Sequence, residues 1–181
     1  MAEFRCQGPR IALREYRPSD LPAVLRYAAD PEVTRYLIWG PEGAREVEAF
    51  LARCADEADT DPRRQYEVAA VLKGTGELIG AARIGVLSSE HRQGDIGYVL
   101  RRDRWGQGLG SEIAGLLLGY GFAQLGLHRI EATCDPGNAA SRRLLENAGM
   151  RYEGLRRHDF FVRGIWRDSL LFAKLEDDPP V

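Results

Sequence analysis

Asp95-Ile-Gly-Tyr-Val-Leu-Arg-Arg-Asp-Arg-Trp-Gly-Gln-Gly-Leu-Gly-Ser111 changes its period halfway along. In its first half Ile96, Tyr98 and Leu100 alternate with Asp95, Gly97 and Val99, the period-two pattern of a strand. Gly106, Gly108 and Gly110 then fall within five positions. After them Leu109, Ile113, Leu116, Leu117 and Tyr120 recur at helical spacing. A strand, a glycine turn and a helix make a seat for phosphate: the chain can approach closely where Cβ atoms are missing, and the first-turn N–H groups point at the anion. The ligand this implies is a phosphorylated cofactor. A Walker A loop needs Gly-Lys-Ser/Thr, and no Gly-Lys occurs here. The dinucleotide fingerprint needs glycine where Ser111 stands, although Glu131, about 20 residues on, suits its ribose-binding acid.

Working outward, Arg10-Ile-Ala-Leu-Arg14 alternates as a first strand, and Ser19 or Asp20 can cap a helix carrying Leu21, Val24, Leu25 and Ala28. Asp30-Pro31 stops that helix, and a short one follows to Leu37. Val47, Phe50, Leu51 and Cys54 stripe an amphipathic helix over residues 44–58. Between Pro41 and Pro62 seven acids face two arginines, either as a solvated face or as a wall attracting a cation. Residues 66–73 and 77–86 read as a hairpin about Gly74-Thr-Gly76, with residues 93–100 as the next antiparallel strand. A dinucleotide fold opens with its glycine loop after the first strand, whereas several elements precede it here. Residues 128–134 alternate, Asn138 caps a helix ending at Gly149, and residues 150–156 and 166–174 supply the last strands.

Gly-Tyr-Val-Leu, Arg-Trp-Gly-Gln-Gly-Leu-Gly and the apolar helix after them resemble the acyl-coenzyme-A loop of the GCN5-related N-acetyltransferases. The run Asn138-Ala-Ala-Ser-Arg-Arg-Leu-Leu-Glu-Asn-Ala-Gly149 is similar to a second motif of that family. Arg10–Arg14 and Asp30-Pro-Glu-Val-Thr-Arg-Tyr-Leu37 look like its branch that acetylates ribosomal-protein N-termini. Trp105 replaces the family's usual glutamine or arginine, as it does in that branch. The resemblance implies an α/β fold: a mixed, mostly antiparallel seven-strand sheet, splayed between strands four and five, with helices on both faces. It implies one domain over residues 1–181, with a core from about 10 to 174 and a polar tail over 175–181. The cofactor would be acetyl-CoA, seated by Trp105, Gln107, Gly108, Leu109, Gly110, Ser111, Asn138 and Arg143. Val99 and Leu100 would offer backbone partners to its pantetheine arm.

Amine acetylation also needs a base, because only the free amine attacks, and an acid for the departing thiolate. Asp95 is the first candidate for base, or else a surface acid at a strand start; His158 and Asp159 come second. The family's usual tyrosine acid falls on Leu145, and Ser141 stands where the ribosomal-protein branch carries a serine for that role. The expected acceptor is a protein N-terminal α-amine. Small amines, aminoglycoside-type antibiotics and a non-catalytic acyl-CoA binding module are the other readings, and the resemblance is compatible with a homodimer.

At 181 residues, 44% hydrophobic and 29% charged, the chain suits one soluble domain. Net charge of −2 gives no footprint for nucleic acid, and no apolar run suits a membrane span or signal peptide, so a cytoplasmic protein is expected. Cys6, Cys54 and Cys134 read as free thiols, and the three histidines lie too far apart for a local metal pair, so no metal is expected.

Overall fold

Tyr66-Glu-Val-Ala-Ala-Val-Leu72 is nearly continuous in apolar residues because its strand is buried on both faces. Val68 and Ala70 pack on one side, Ala69 and Val71 on the other. The computed structural model describes residues 4–179. Residues 1–3, where no signal-peptide core was read, and 180–181, the end of the expected tail, lie outside them.

The described strands are β1 Arg5–Gln7, β2 Ile11–Arg14, β3 Gln65–Leu72, β4 Leu78–Ser88, β5 Gln93–Leu100, β6 Arg129–Cys134, β7 Arg151–Val162 and β8 Ile165–Leu175. They form one sheet in the order β1-β2-β3-β4-β5-β6-β8-β7, antiparallel except at β5/β6. The sheet therefore has eight strands rather than the expected seven. The extra one is β1, three residues long with only Cys6 partly buried, which leaves no alternation to read. It is held by pairing with β2 and by the buried Phe4, whose ring lies 4.3 Å from that of Tyr120. The start of the polar tail is also tied down: Leu175 N donates to Asp178, which Arg151 meets at 2.9 Å.

Helices cover both faces. On one, α4 Leu109–Ala123 and α5 Ala139–Asn147 bury Ile113, Leu117 and Leu145 against Ile84, Ile130 and Phe172. On the other, α1 Leu21–Ala28 and α3 Ala44–Ala58 bring Val24, Tyr27 and Val47 onto Ala69, Val71 and Val99. The short α2, Pro31–Thr34, follows α1 after an Asp30 cap. Among the described residues no helix is long and apolar enough to cross a membrane.

The sheet is forked at its middle. β5 and β6 pair only through Gln93↔Arg129, Gly94↔Ile130 and Asp95↔Glu131. Beyond Asp95 they part, while β5 stays on β4 as far as Leu100 and β6 on β8 as far as Cys134. The fork leaves one edge of Ile96–Leu100 without a strand partner, which is the opening the expected splay requires. Its strands are the fifth and sixth of the chain because β1 adds one to the count.

Candidate active site

The fork opens into a cavity of about 1150 Å³, wide enough for two reactants. Its floor near α4 is made of backbone. Gly108 caps the helix at φ +73°, a left-handed conformation suited to glycine. Gly110 lies so close to α5 that a methyl group there would stand 2.4 Å from Leu144 Cδ1. Gly108, Leu109, Gly110 and Ser111 all line the cavity, which therefore opens at the N-terminal turn of α4, where free N–H groups suit an anion.

Charged side chains brace this loop from behind. Glu112 accepts from the backbone N–H groups of Arg10 (2.7 Å) and Ile11 (2.9 Å) and from Arg10 Nε (2.8 Å). Burial opposes its charge, but these donors prevail and hold its carboxyl below the usual range. Arg10 Nη1 also donates to the Gln107 carbonyl, at 2.9 Å. Buried Arg101 spans Glu77 (2.5 Å) and Asp103 (2.7 Å), and its hydrogen bonds lower the pKa of both acids. Trp105, half exposed, lines the cavity and donates its indole N–H to the Leu100 carbonyl at 2.9 Å.

Val99, Leu100, Asn138 and Arg143 also stand on the wall. Gln107 does not; its carbonyl is engaged by Arg10 and its side chain donates to the Asp103 carbonyl. Asn138 caps α5 by accepting from Ser141 N at 3.0 Å, which places Ser141 in the helix's first turn facing the cavity. Ser141 Oγ lies 2.9 Å from the Tyr98 hydroxyl on β5, across the fork.

The expected base stands elsewhere. Asp95 is off the cavity wall, in a bidentate pair with Arg83. His158 stacks on Trp166 and Asp159 accepts from Ser169 Oγ; neither lines the cavity, although Phe160, Asp168 and Ser169 do. Among the acids on the wall is Glu67 of β3, 3.4 Å from Arg83 Nε. Burial raises its pKa to about 7; Arg83 and Arg53 pull it down, and Glu57 and Asp95 push it up. A signal for Glu67 was available: it shares the parity of Ala69 and Val71 within an apolar strand, so it is a charge directed at a covered face.

Beyond Glu67 the wall carries Tyr36, Trp39, Phe50, Glu32, Glu42 and Glu46. Of the seven acids between Pro41 and Pro62, only Glu42 and Glu46 reach it. The β7–β8 hairpin closes this end. Arg163 donates to the carbonyls of Thr34, Trp39 and Gly40, and Arg167 to those of Arg35 and Leu37 and to Asp135.

An acetyltransferase (GNAT) domain model matches residues 10–151, and the chain belongs to that family. It is 32% identical over 168 residues to the uncharacterized N-acetyltransferase p20 of Bacillus licheniformis, covering 92% of this chain and 93% of that one. Mycobacterium smegmatis RimJ, solved in complex with CoA-disulfide, superposes with a TM-score of 0.83 at 28% identity, covering 99% of this chain and 89% of that one. The spermidine N(1)-acetyltransferase of Escherichia coli K12 is 26% identical over 88% of this chain and 83% of its own length. The protein is an N-acetyltransferase that uses acetyl-CoA. The glycine cradle at the start of α4 and the unpaired edge of β5 fit that cofactor, whose thioester supplies the activated acetyl group.

Proposed function

We propose that the protein acetylates the α-amine of a polypeptide N-terminus, with Glu67 as general base and Ser141 as general acid. The observation that carries this reading is the place of the Glu67 carboxylate on the cavity wall beside Arg83, where burial pushes its pKa up to about 7. A base is most effective when its pKa is close to that of the group it deprotonates near the working pH. A peptide α-ammonium, at roughly 8, lies within reach of Glu67; an alkylammonium, at roughly 10, is a much harder proton to remove. Arg83, fixed by Asp95, keeps Glu67 in place without neutralising its basicity. Leu109–Ser111, Asn138 and Arg143 would hold the cofactor phosphates, and Val99 and Leu100 its pantetheine arm. The ordered backbone at the β5 edge would also polarise the thioester carbonyl, a contribution on the order of 10²–10³ in rate.

A second reading, a polyamine acceptor, has one observation of its own: Glu32, Glu42 and Glu46 on the acceptor wall. Free coenzyme A thiol released from acetyl-CoA separates the two. The panel holds peptides with Ala, Ser or Met N-termini, spermidine, aminoglycosides and free amino acids. Selective turnover of peptides is expected. Turnover of spermidine without peptides would replace the first reading with the second.

A further inference from the structure

We propose that Tyr98 is a positioning residue for the leaving-group proton: its phenol donates to Ser141 Oγ and turns the serine's own proton towards the cofactor sulfur. The inference rests on Ser141 as the acid. Tyr98 belongs to the part of β5 beyond the fork, and Ser141 to the first turn of α5 on the opposite side, so their 2.9 Å contact bridges the opening where the thioester must lie. Both residues line the cavity.

Either hydroxyl can donate across this contact, and we assign the donor role to the phenol, the more acidic of the two hydroxyls. Burial pushes the Tyr98 hydroxyl up to about 12, only partly offset by Ser141, so the phenol keeps its proton across the working range. With a lone pair of Oγ occupied, the serine hydroxyl must direct its hydrogen elsewhere. The backbone N–H of Ser141 is engaged by Asn138 and fixes the helical turn, so the hydroxyl rotor is the remaining freedom.

The ammonium proton first leaves through Glu67 to solvent; in the transfer step the free amine nitrogen then bonds to the acetyl carbon, and one of its two remaining protons passes to Glu67. The carbon–sulfur bond breaks with its electron pair on sulfur. Ser141 gives its proton to the sulfur as Tyr98 gives its proton to Oγ. This leaves a phenolate rather than a serine alkoxide, the less costly anion. Solvent then reprotonates Tyr98 and takes the proton from Glu67, so the balance closes.

The test is a double-mutant cycle of Tyr98→Phe and Ser141→Ala, assayed by coenzyme A thiol release, with the melting shift produced by coenzyme A confirming a folded cofactor site in each variant. Tyr98→Phe is expected to lower kcat about tenfold while KM for acetyl-CoA changes by less than roughly twofold. Ser141→Ala should cost more, and adding Tyr98→Phe to it should cost nothing further, because the phenol acts only through the serine. Unchanged kcat in Tyr98→Phe beside an impaired Ser141→Ala would overturn the role of Tyr98 alone. Additive losses would also overturn it, since the phenol would then act independently. Full turnover in Ser141→Ala would instead remove the acid on which the inference rests.

Discussion

The two ends of the cavity are built by opposite means. The end proposed for the cofactor rests on backbone: glycine-capped α4, the unpaired edge of β5 and the first turn of α5, with Arg10, Arg101 and Glu112 bracing it from outside the cavity. The end proposed for the acceptor uses side chains from four separate segments, Glu32, Glu42, Glu67 and Arg167. A phosphate seat made of N–H groups keeps its function under many sequences, provided the glycines remain. A wall of side chains can change its ligand with a single substitution. On the proposed reading, one molecule holds a fixed donor site beside an adjustable acceptor site.

The largest effect that sharpens this contrast is expected at Glu67. Glu67→Gln should lower kcat on the order of 10²–10³ at neutral pH, with the melting shift from coenzyme A retained. In the wild type, activity should rise with pH through about 7 as Glu67 loses its proton. A profile flat across that range would separate Glu67 from the chemistry.

Gly110→Ala probes the other end. Its new methyl meets Leu144 Cδ1, the end of a side chain that can turn aside, so the fold should survive at a cost of about 1–3 kcal/mol. KM for acetyl-CoA should rise several-fold, roughly threefold to tenfold, with relative preference among acceptors unchanged. A shift in acceptor preference would show that the two ends are not independent.

The smallest effect concerns stability. Glu67 has a folded pKa raised from 4.5 to about 7, so the folded state binds more protons than the unfolded between those values. Its contribution is therefore favourable below about 4.5 and is lost as pH rises through 7. Glu67→Gln, permanently neutral, should melt higher than wild type at pH 8, by roughly 3 °C or more, and close to it at pH 4.5. Equal melting temperatures at both pH values would show that Arg83 compensates the buried charge fully.

The same contrast explains what the sequence could disclose. The glycine loop and the α5 cap are contiguous, so Gly108, Gly110, Asn138 and Ser141 could be read from spacing and resemblance before any fold was known. The fork was implied in the same way, while β1 escaped because a three-residue edge strand has no periodicity. Asp95 was the acid adjacent to a recognisable motif, but strand pairing places Arg83 across from Gly97 and within reach of it, and Arg83 engages the carboxylate. Glu67 lies 28 positions earlier than Asp95 in the chain and becomes its neighbour only through β4. No local pattern carries that relation; the sheet creates it.

The arginines of the β7–β8 hairpin have a consequence for synthesis. Arg163 grips the Thr34–Gly40 loop across as many as 129 positions, and Arg167 across as many as 132. As the chain leaves the ribosome, β8 is made last, although it pairs with β6 along its length and buries Phe172 in the core. The acceptor loop receives these braces only when the final strands arrive.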